Sequence, residues 1–430
     1  MERYSEYKDS GVKWLGEIPS HWELRKMKYT FDERSQKGFP NEPLLAATQN
    51  HGVILKSQYE NRTVEAVKSL DTLKLVEIGD FVISLRSFQG GLEYAHNRGI
   101  ISPAYTILTP THIKASYFKH LSKSDIFISL LKSSVTGIRE GQNIDYNKLK
   151  ESLLPIPSEE EQKAMGCYLD AATSKIDKAI AMQQKMIDLL NERKQIIIQN
   201  AVTKGLDENV EMKDSNCKFL GKIPSTWEVC KTLYVLSMPI TDGPHTTPQL
   251  YDDGIPFVSA EAVSCGNGYI DFSHIRGYIS DSFYNECCKK YIPQRDDIYM
   301  IKSGATTGKV AIVNTDVKFT IWSPLAVFRV NKKKVLPYFL YYSLQSSYYQ
   351  LQVQDKWSFG TQQNIGMRML EKLILCYPSI EEQAKIVAFI KKNVDNFDSA
   401  ISNSQRQIAL LQERKQIIIN EVITGKVKVS

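Results

Sequence analysis

An unusual phrase occurs twice in this chain, as WLGEIPSHWE at 14–23 and as FLGKIPSTWE at 219–228. It is part of a longer duplication. YKDSGVKWLG (7–16) matches MKDSNCKFLG (212–221) at an offset of 205. Ser102-Pro103 pairs with Ser323-Pro324, Tyr117-Phe118 with Tyr338-Phe339, and Gln142-Asn143-Ile144 with Gln363-Asn364-Ile365, all at 221. PSEEEQ (157–162) matches PSIEEQ (378–383), and LLNERKQIII (189–198) matches LLQERKQIII (410–419). The chain is therefore two units in tandem, and the second holds 16 more residues between its entry and exit signatures. At 430 residues it is also too long for one ordinary core.

Each unit divides in two by periodicity. Residues 1–157 and 206–378 carry short β-rich runs (GDFVISL, SPAYTIL, DDIYMI, KVAIV, LAVFRV) separated by Gly, Pro, Asn and Asp turns, which predicts two compact mixed domains. Residues 158–205 and 379–430 read as long helices. Ser158 and Ser379 each precede a glutamate by three residues, Glu161 and Glu382, which is a capping box in both copies. Downstream, Leu169, Ala172, Ile176, Ile180, Ile187, Leu190, Ile197 and Ala201 recur at spacings of three and four. Ile390, Phe397, Ile401, Ile408, Leu411, Ile418 and Val422 do the same in the second copy. Polar residues interrupt both seams at matched places, Gln183/Ser404 and Lys194/Lys415, as in a coiled coil. The expected fold is α+β: two mixed domains joined by two long antiparallel, coiled-coil-like helices, related by a pseudo-twofold. In that plan the duplicated phrase is the joint where a helix ends and the next domain begins.

The joints and helices match closely, whereas the domain interiors have diverged. FVISLRSFQGGLEYA follows Asp80 where IYMIKSGATTGKVAI follows Asp297, and DGPHTTPQLYDDGIPFVSAEAV (242–263) has no convincing counterpart in the first unit. Motifs for chemistry are missing. GATTGKV (304–310) has one residue too few between its glycines for a phosphate loop and lacks Ser or Thr after the lysine. Glu192–Lys194 and Glu413–Lys415 spell E-x-K but lie on the helices without a partner Asp, and a solvated helix face is expected there. No metal-ligand spacing is present among the seven cysteines, which read as reduced thiols. The charged start MERYSEYKDS lacks an apolar core, and no run reaches the ~20 apolar residues of a membrane span, so a cytoplasmic protein is expected. A net charge of +6 is a mild hint toward a polyanion.

The ordered tandem of W-L-G-x-I-P-x-x-W-E, a variable domain, P-S-x-x-E-Q and a helix ending in E-R-K-Q-I-I-I resembles the specificity subunit of type I restriction–modification systems, over residues 1–430. The resemblance implies two target-recognition domains, each reading one half of a bipartite, asymmetric site in double-stranded DNA. The helical spacers would fix the gap and dock two methylation subunits, which restriction subunits join. It implies no catalysis and no cofactor in this chain; S-adenosylmethionine, ATP and Mg²⁺ would belong to the partners. A coiled-coil adaptor without sequence-specific DNA binding is the alternative, and its domains would be needlessly elaborate.

Two different half-sites need different readers, so base contacts are expected in the diverged polar loops. In the first unit these are Arg86 and Gln89 of SLRSFQGG, with Arg98 and Arg139 as phosphate contacts. In the second they are His245 and Thr246 of GPHTT, then Lys302, Thr306, Thr307 and Lys309 of KSGATTGK. Gln142/Gln363 and Asn143/Asn364, common to both units, are assigned to the scaffold or to phosphate.

Overall fold

The structure, a computed structural model, describes residues 2–49, 51–59, 70–84, 87–136, 143–359 and 363–429. It forms two compact units: residues 1–184 with 405–430, and residues 185–404. Two helices dominate the described residues, Glu159–Lys204 and Ile380–Ile423, each contributing one half to each unit.

In the first unit a hairpin pairs Tyr7–Asp9 with Glu17–Pro19, and Glu23–Lys26 pairs with Leu153–Ile156. A four-stranded antiparallel sheet follows, in the order Phe31–Arg34, Thr106–Pro110, Phe81–Ile83, Glu93–Tyr94. A further hairpin joins Leu45–Thr48 to Gly52–Leu55, and the helices Ala115–Leu121 and Asp125–Ser133 cover the sheet. The core gathers Trp22, Phe81, Tyr117, Phe118 and Phe127, closed by Leu169 of the first long helix and by Ile419, Val422 and Ile423 of the second.

The second unit is built on the same plan. Met212–Asp214 pairs with Lys222–Pro224, and Glu228–Lys231 with Ile374–Tyr377. Its four-stranded sheet runs Thr241–Asp242, Leu325–Phe328, Ile298–Ile301, Val310–Ile312, again antiparallel and again with a helical pair, Pro337–Gln345 and Ser347–Lys356. The stretch without a sequence counterpart supplies Ile255–Val258, centre of a three-stranded sheet with Tyr278–Ile279 and Thr320–Ile321. Trp227, Phe339, Tyr348 and Tyr349 fill the core against Ile198, Ala201 and Val202 of the first long helix and Ile386 and Ile390 of the second.

The duplicated phrase has a physical explanation in each unit. The tryptophans common to both copies are fully buried, and their indole N–H groups donate to the glutamates of the capping boxes, Trp22 to Glu161 at 3.4 Å and Trp227 to Glu382 at 3.1 Å. Glu161 N–H donates to Ser158 Oγ at 3.3 Å while Ser158 N–H donates to Glu161 Oε2 at 3.1 Å, and Glu382 N–H donates to Ser379 Oγ at 3.3 Å. Against the same tryptophan lies the end of the other helix. Gly425 (φ 71°) sits on Pro19 and Trp22, where a Cβ would come within 2.4 Å of the proline ring. Gly205 (φ 76°) sits against Trp227 and Glu382. Each copy of the phrase is thus a socket in which one helix starts and the other stops.

Within each unit the helix halves run antiparallel. Lys194 Nζ lies 2.7 Å from Asp398 Oδ1 in the second unit, and Lys415 Nζ lies 2.7 Å from Asp177 Oδ1 in the first. Both lysines and both aspartates are separated by 221 positions, so one cross-helix ion pair occurs twice. This corrects the expectation that the E-x-K lysines lack a partner Asp. The partner lies on the other helix, too distant in sequence to be found by spacing.

Candidate nucleic-acid interface

The two diverged loops occupy the same place in their sheets. In the first unit SLRSFQGG leads from strand Phe81–Ile83 to edge strand Glu93–Tyr94; in the second KSGATTGK leads from Ile298–Ile301 to edge strand Val310–Ile312. Both loops follow a strand that begins beside a buried aspartate held by arginine: Asp80 by Arg34 at 2.7 Å, Asp297 by Arg329 at 2.7 Å. That pairing fixes the strand, and the loop beyond it is free to vary.

Short-range bonds shape the described part of each loop. In the first unit Ser84 N–H donates to the buried Ser87 Oγ at 2.8 Å, opening the helical turn Ser87–Gly90. Gln89 is exposed on this turn, and its Oε1 accepts from Gln49 Nε2 at 3.4 Å. The loop closes at Gly91 (φ 82°), where a Cβ would meet Ser122 O at 2.0 Å, so only glycine fits. In the second unit Thr307 Oγ1 donates to Gly304 O at 2.7 Å, and Gly304 N–H donates to Gln363 O at 3.0 Å. Gln363, of the signature common to both units, therefore braces the loop through its backbone carbonyl, and Asn364 bridges Ser303. A long side chain from the helical pair region holds each loop's late glycine carbonyl. Lys123 Nζ donates to Gly90 O at 2.9 Å, and Gln350 Nε2 to Gly308 O at 2.9 Å.

The second unit joins GPHTT to KSGATTGK through one residue that spacing did not single out, Asp242. This carboxylate is 1% exposed and faces Lys290 Nζ at 2.5 Å, His245 Nε2 at 3.2 Å and Lys302 Nζ at 3.3 Å. Burial opposes its ionisation, but the Lys290 hydrogen bond and the charges of Lys290 and Lys302 prevail and hold it below the ordinary carboxylate range. Asp242 thereby anchors the start of GPHTT to the first residue of KSGATTGK. Thr246, Phe283, Cys287, Lys290 and Tyr291 line a cleft of about 140 Å³ beside it.

The predicted residues separate accordingly. Arg86 and Arg139, like Gln142, lie outside the described residues. Gln89, His245, Thr246 and Lys309 are exposed on the loops, and Lys309 Nζ is 3.5 Å from Ser264 O. Thr306 and Thr307 are half-buried, Thr307 with its hydroxyl engaged as above. Lys302 points inward, its side chain 13% exposed on Asp242. Arg98 is away from the loop, gripped by Glu42 at 2.9 Å and Glu77 at 2.5 Å, and the Glu42 hydrogen bond raises its already high pKa. Its charge is matched within the protein, whereas a phosphate contact needs charge left over. Spacing missed Gln49, Lys123, Asp242 and Lys290. Of these only Gln49 had a sequence signal, as part of a polar turn between the apolar runs LLAAT and GVIL.

Residues 246–412 match the family of the type I restriction modification DNA specificity domain. The putative type I restriction enzyme MjaX specificity subunit of Methanocaldococcus jannaschii is 25% identical over 452 residues, covering 98% of each chain. The MjaVIII specificity subunit of the same organism is 26% identical over 308 residues, 70% of this chain and 68% of the relative. A chain solved in work on assembly and conformational transition of the type I R-M system superposes with a TM-score of 0.68 at 16% identity, covering 95% of this chain and 99% of that one. The last comparison establishes likeness of fold.

Proposed function

We propose, from the premise that this chain belongs to the family of type I restriction–modification specificity subunits, that it selects the DNA sequence on which such a complex acts. Each unit reads one half of a bipartite, asymmetric site in double-stranded DNA, and the long helices set the unread gap between the halves. The observation that carries this reading is the pairing of a repeated scaffold with diverged loops in the same topological place. A protein that must read two different half-sites needs that combination.

The helices also offer a docking face in duplicate. Leu189 and Ile196 on the first are exposed, and so are Leu410 and Ile417 at the same offset of 221 on the second. Apolar residues shown to solvent at matched positions suit two copies of one partner, which we assign to methylation subunits, with restriction subunits joining them. The twice-made ion pair, Lys194–Asp398 and Lys415–Asp177, supports a pseudo-twofold relation of the helical halves. In this scheme the chain is non-catalytic and binds no cofactor. S-adenosylmethionine, ATP and Mg²⁺ act on the partner subunits, and the complex works in the cytoplasm; among the described residues no helix is long and apolar enough to cross a membrane.

Exchange of domains tests this directly. Residues 1–157 are replaced by the corresponding domain of another specificity subunit, and methylated motifs are sequenced from cells that also make the methylation subunits. The expected result is a split motif in which one half changes and the other half persists. Change in both halves, or in neither, removes the assignment of one half-site to each unit.

A further inference from the structure

The first unit contains a second glutamine whose position matches that of Gln89. Gln49 stands in the turn of the hairpin Leu45–Thr48/Gly52–Leu55, exposed, with its Nε2 donating to Gln89 Oε1 at 3.4 Å. Its side chain lies flat on Gly90, whose absent Cβ would touch Gln49 Cδ and Cγ at 3.4 Å. The turn is braced at both ends. Thr48 Oγ1 donates to Gly52 O at 2.9 Å and accepts from His51 N–H at 3.1 Å. Gly52 (φ 69°) packs so closely on strand Glu93–Tyr94 that a Cβ would come within 2.5 Å of Tyr94 O.

One side chain ties this turn to the loop of Gln89. Lys123 Nζ donates to Gln49 O at 3.3 Å, to Gly90 O at 2.9 Å and to Glu93 Oε2 at 2.8 Å. Glu93 is buried, and its second oxygen has no hydrogen-bond partner. Its bond to Lys123 holds the ammonium where it can reach both carbonyls. Glu93 is shut off from solvent, and the Lys123 ammonium is engaged by Glu93 and by the two backbones that carry the glutamines.

We infer that Gln49 and Gln89 form one composite reader of the first half-site, and that Lys123 is the residue that positions the two turns relative to each other. This rests on the DNA-reading function proposed above. A glutamine amide offers the donor and acceptor that match N7 and N6 of adenine in the major groove, so adenine is the base the pair is suited to read. Two amides held side by side cover neighbouring base pairs, and holding them before binding lowers the entropy lost on association. In the other unit Gln350 Nε2 holds the Gly308 carbonyl at 2.9 Å, as Lys123 holds that of Gly90.

The experiment uses the full chain with its methylation subunits and reads two quantities: the methylated motif by sequencing, and the affinity of the purified complex for a duplex carrying that motif. Gln49→Ala should relax one base pair of one half-site, an A·T pair, and weaken discrimination there roughly 5- to 100-fold. The other half should be unchanged. Gln89→Ala should relax the same or the adjacent pair. Lys123→Met should broaden both pairs together, and Lys123→Arg should restore most of the selectivity. A Lys123→Met protein that loses thermal stability but keeps a sharp motif is a packing residue only, which overturns its positioning role. If Lys123→Met does not fold, exposed Gln49 still decides the matter, since a motif unchanged in Gln49→Ala overturns the composite reader. Absence of any split motif from the wild-type complex strikes the function itself, and that failure is distinct from both.

Discussion

Lys302 and Lys309 are indistinguishable in the sequence, each a lysine flanking a Gly-Thr loop, yet one serves the interior and the other faces solvent. The difference is made by Asp242, 60 positions earlier, whose buried carboxylate needs cations. No local pattern encodes such a partner, which is why loop positions were legible and individual roles were not. Glu93 shows the same dependence on distant neighbours. Burial pushes its pKa up to about 7, with Lys123 partly opposing the rise. An unfolded chain releases this proton nearer pH 4.5, so between about pH 4.5 and 7 the fold holds a proton that the unfolded chain has lost. Stability of the first unit therefore falls as pH rises through that window, by at most about 3 kcal/mol at 1.36 kcal/mol per unit. Glu93→Gln removes the titration. Hydrogen exchange of the first unit's core amides should show the variant gaining on the wild type between pH 5 and pH 8. A difference that stays flat would mean that Lys123 keeps Glu93 ionised throughout.

At the level of elements the sequence was far more informative, because helices and their ends are set by near neighbours. The capping boxes at Ser158 and Ser379 mark helices beginning at Glu159 and Ile380, and much of the apolar seam is buried or half-buried. The repeated phrase told of a joint but not of its mechanism. That depends on Trp22 and Trp227 meeting glutamates 139 and 155 positions away and glycines from the far helix end. Because each tryptophan closes a core and ties down both helices, Trp22→Ala and Trp227→Ala should each cost about 3–5 kcal/mol, the usual range for emptying a large aromatic site. Denaturant unfolding would measure it, with exchange protection lost first in the unit that carries the substitution. A cost below 1 kcal/mol at either site would mean that the socket is plugged by something other than the indole.

For the whole molecule, the function proposed above needs a fixed gap between half-sites, and hence a part that cannot easily stretch. Thirty residues of helix, Ala172 to Ala201, span about 45 Å at 1.5 Å per residue, against about 34–36 Å for one turn of B-DNA. If the helices act as the ruler, their length is readable in the target. Removing one heptad from the middle of each, residues 182–188 and 403–409, shortens the span by about 10 Å. Seven residues also turn a helix to within about 20° of two full revolutions, so the apolar seam still faces its partner. The ion pairs Lys194–Asp398 and Lys415–Asp177 lie outside the deleted segments. Ten ångströms is about three base pairs, and three base pairs also rotate the duplex by roughly 100°. The shortened complex should therefore methylate a motif whose gap is about three base pairs smaller, or, where the rotation carries one half-site out of reach, none at all. Sequencing of methylated DNA separates these outcomes from a third, a motif with its original gap, which would show that the spacing is set by the domains and not by the helices.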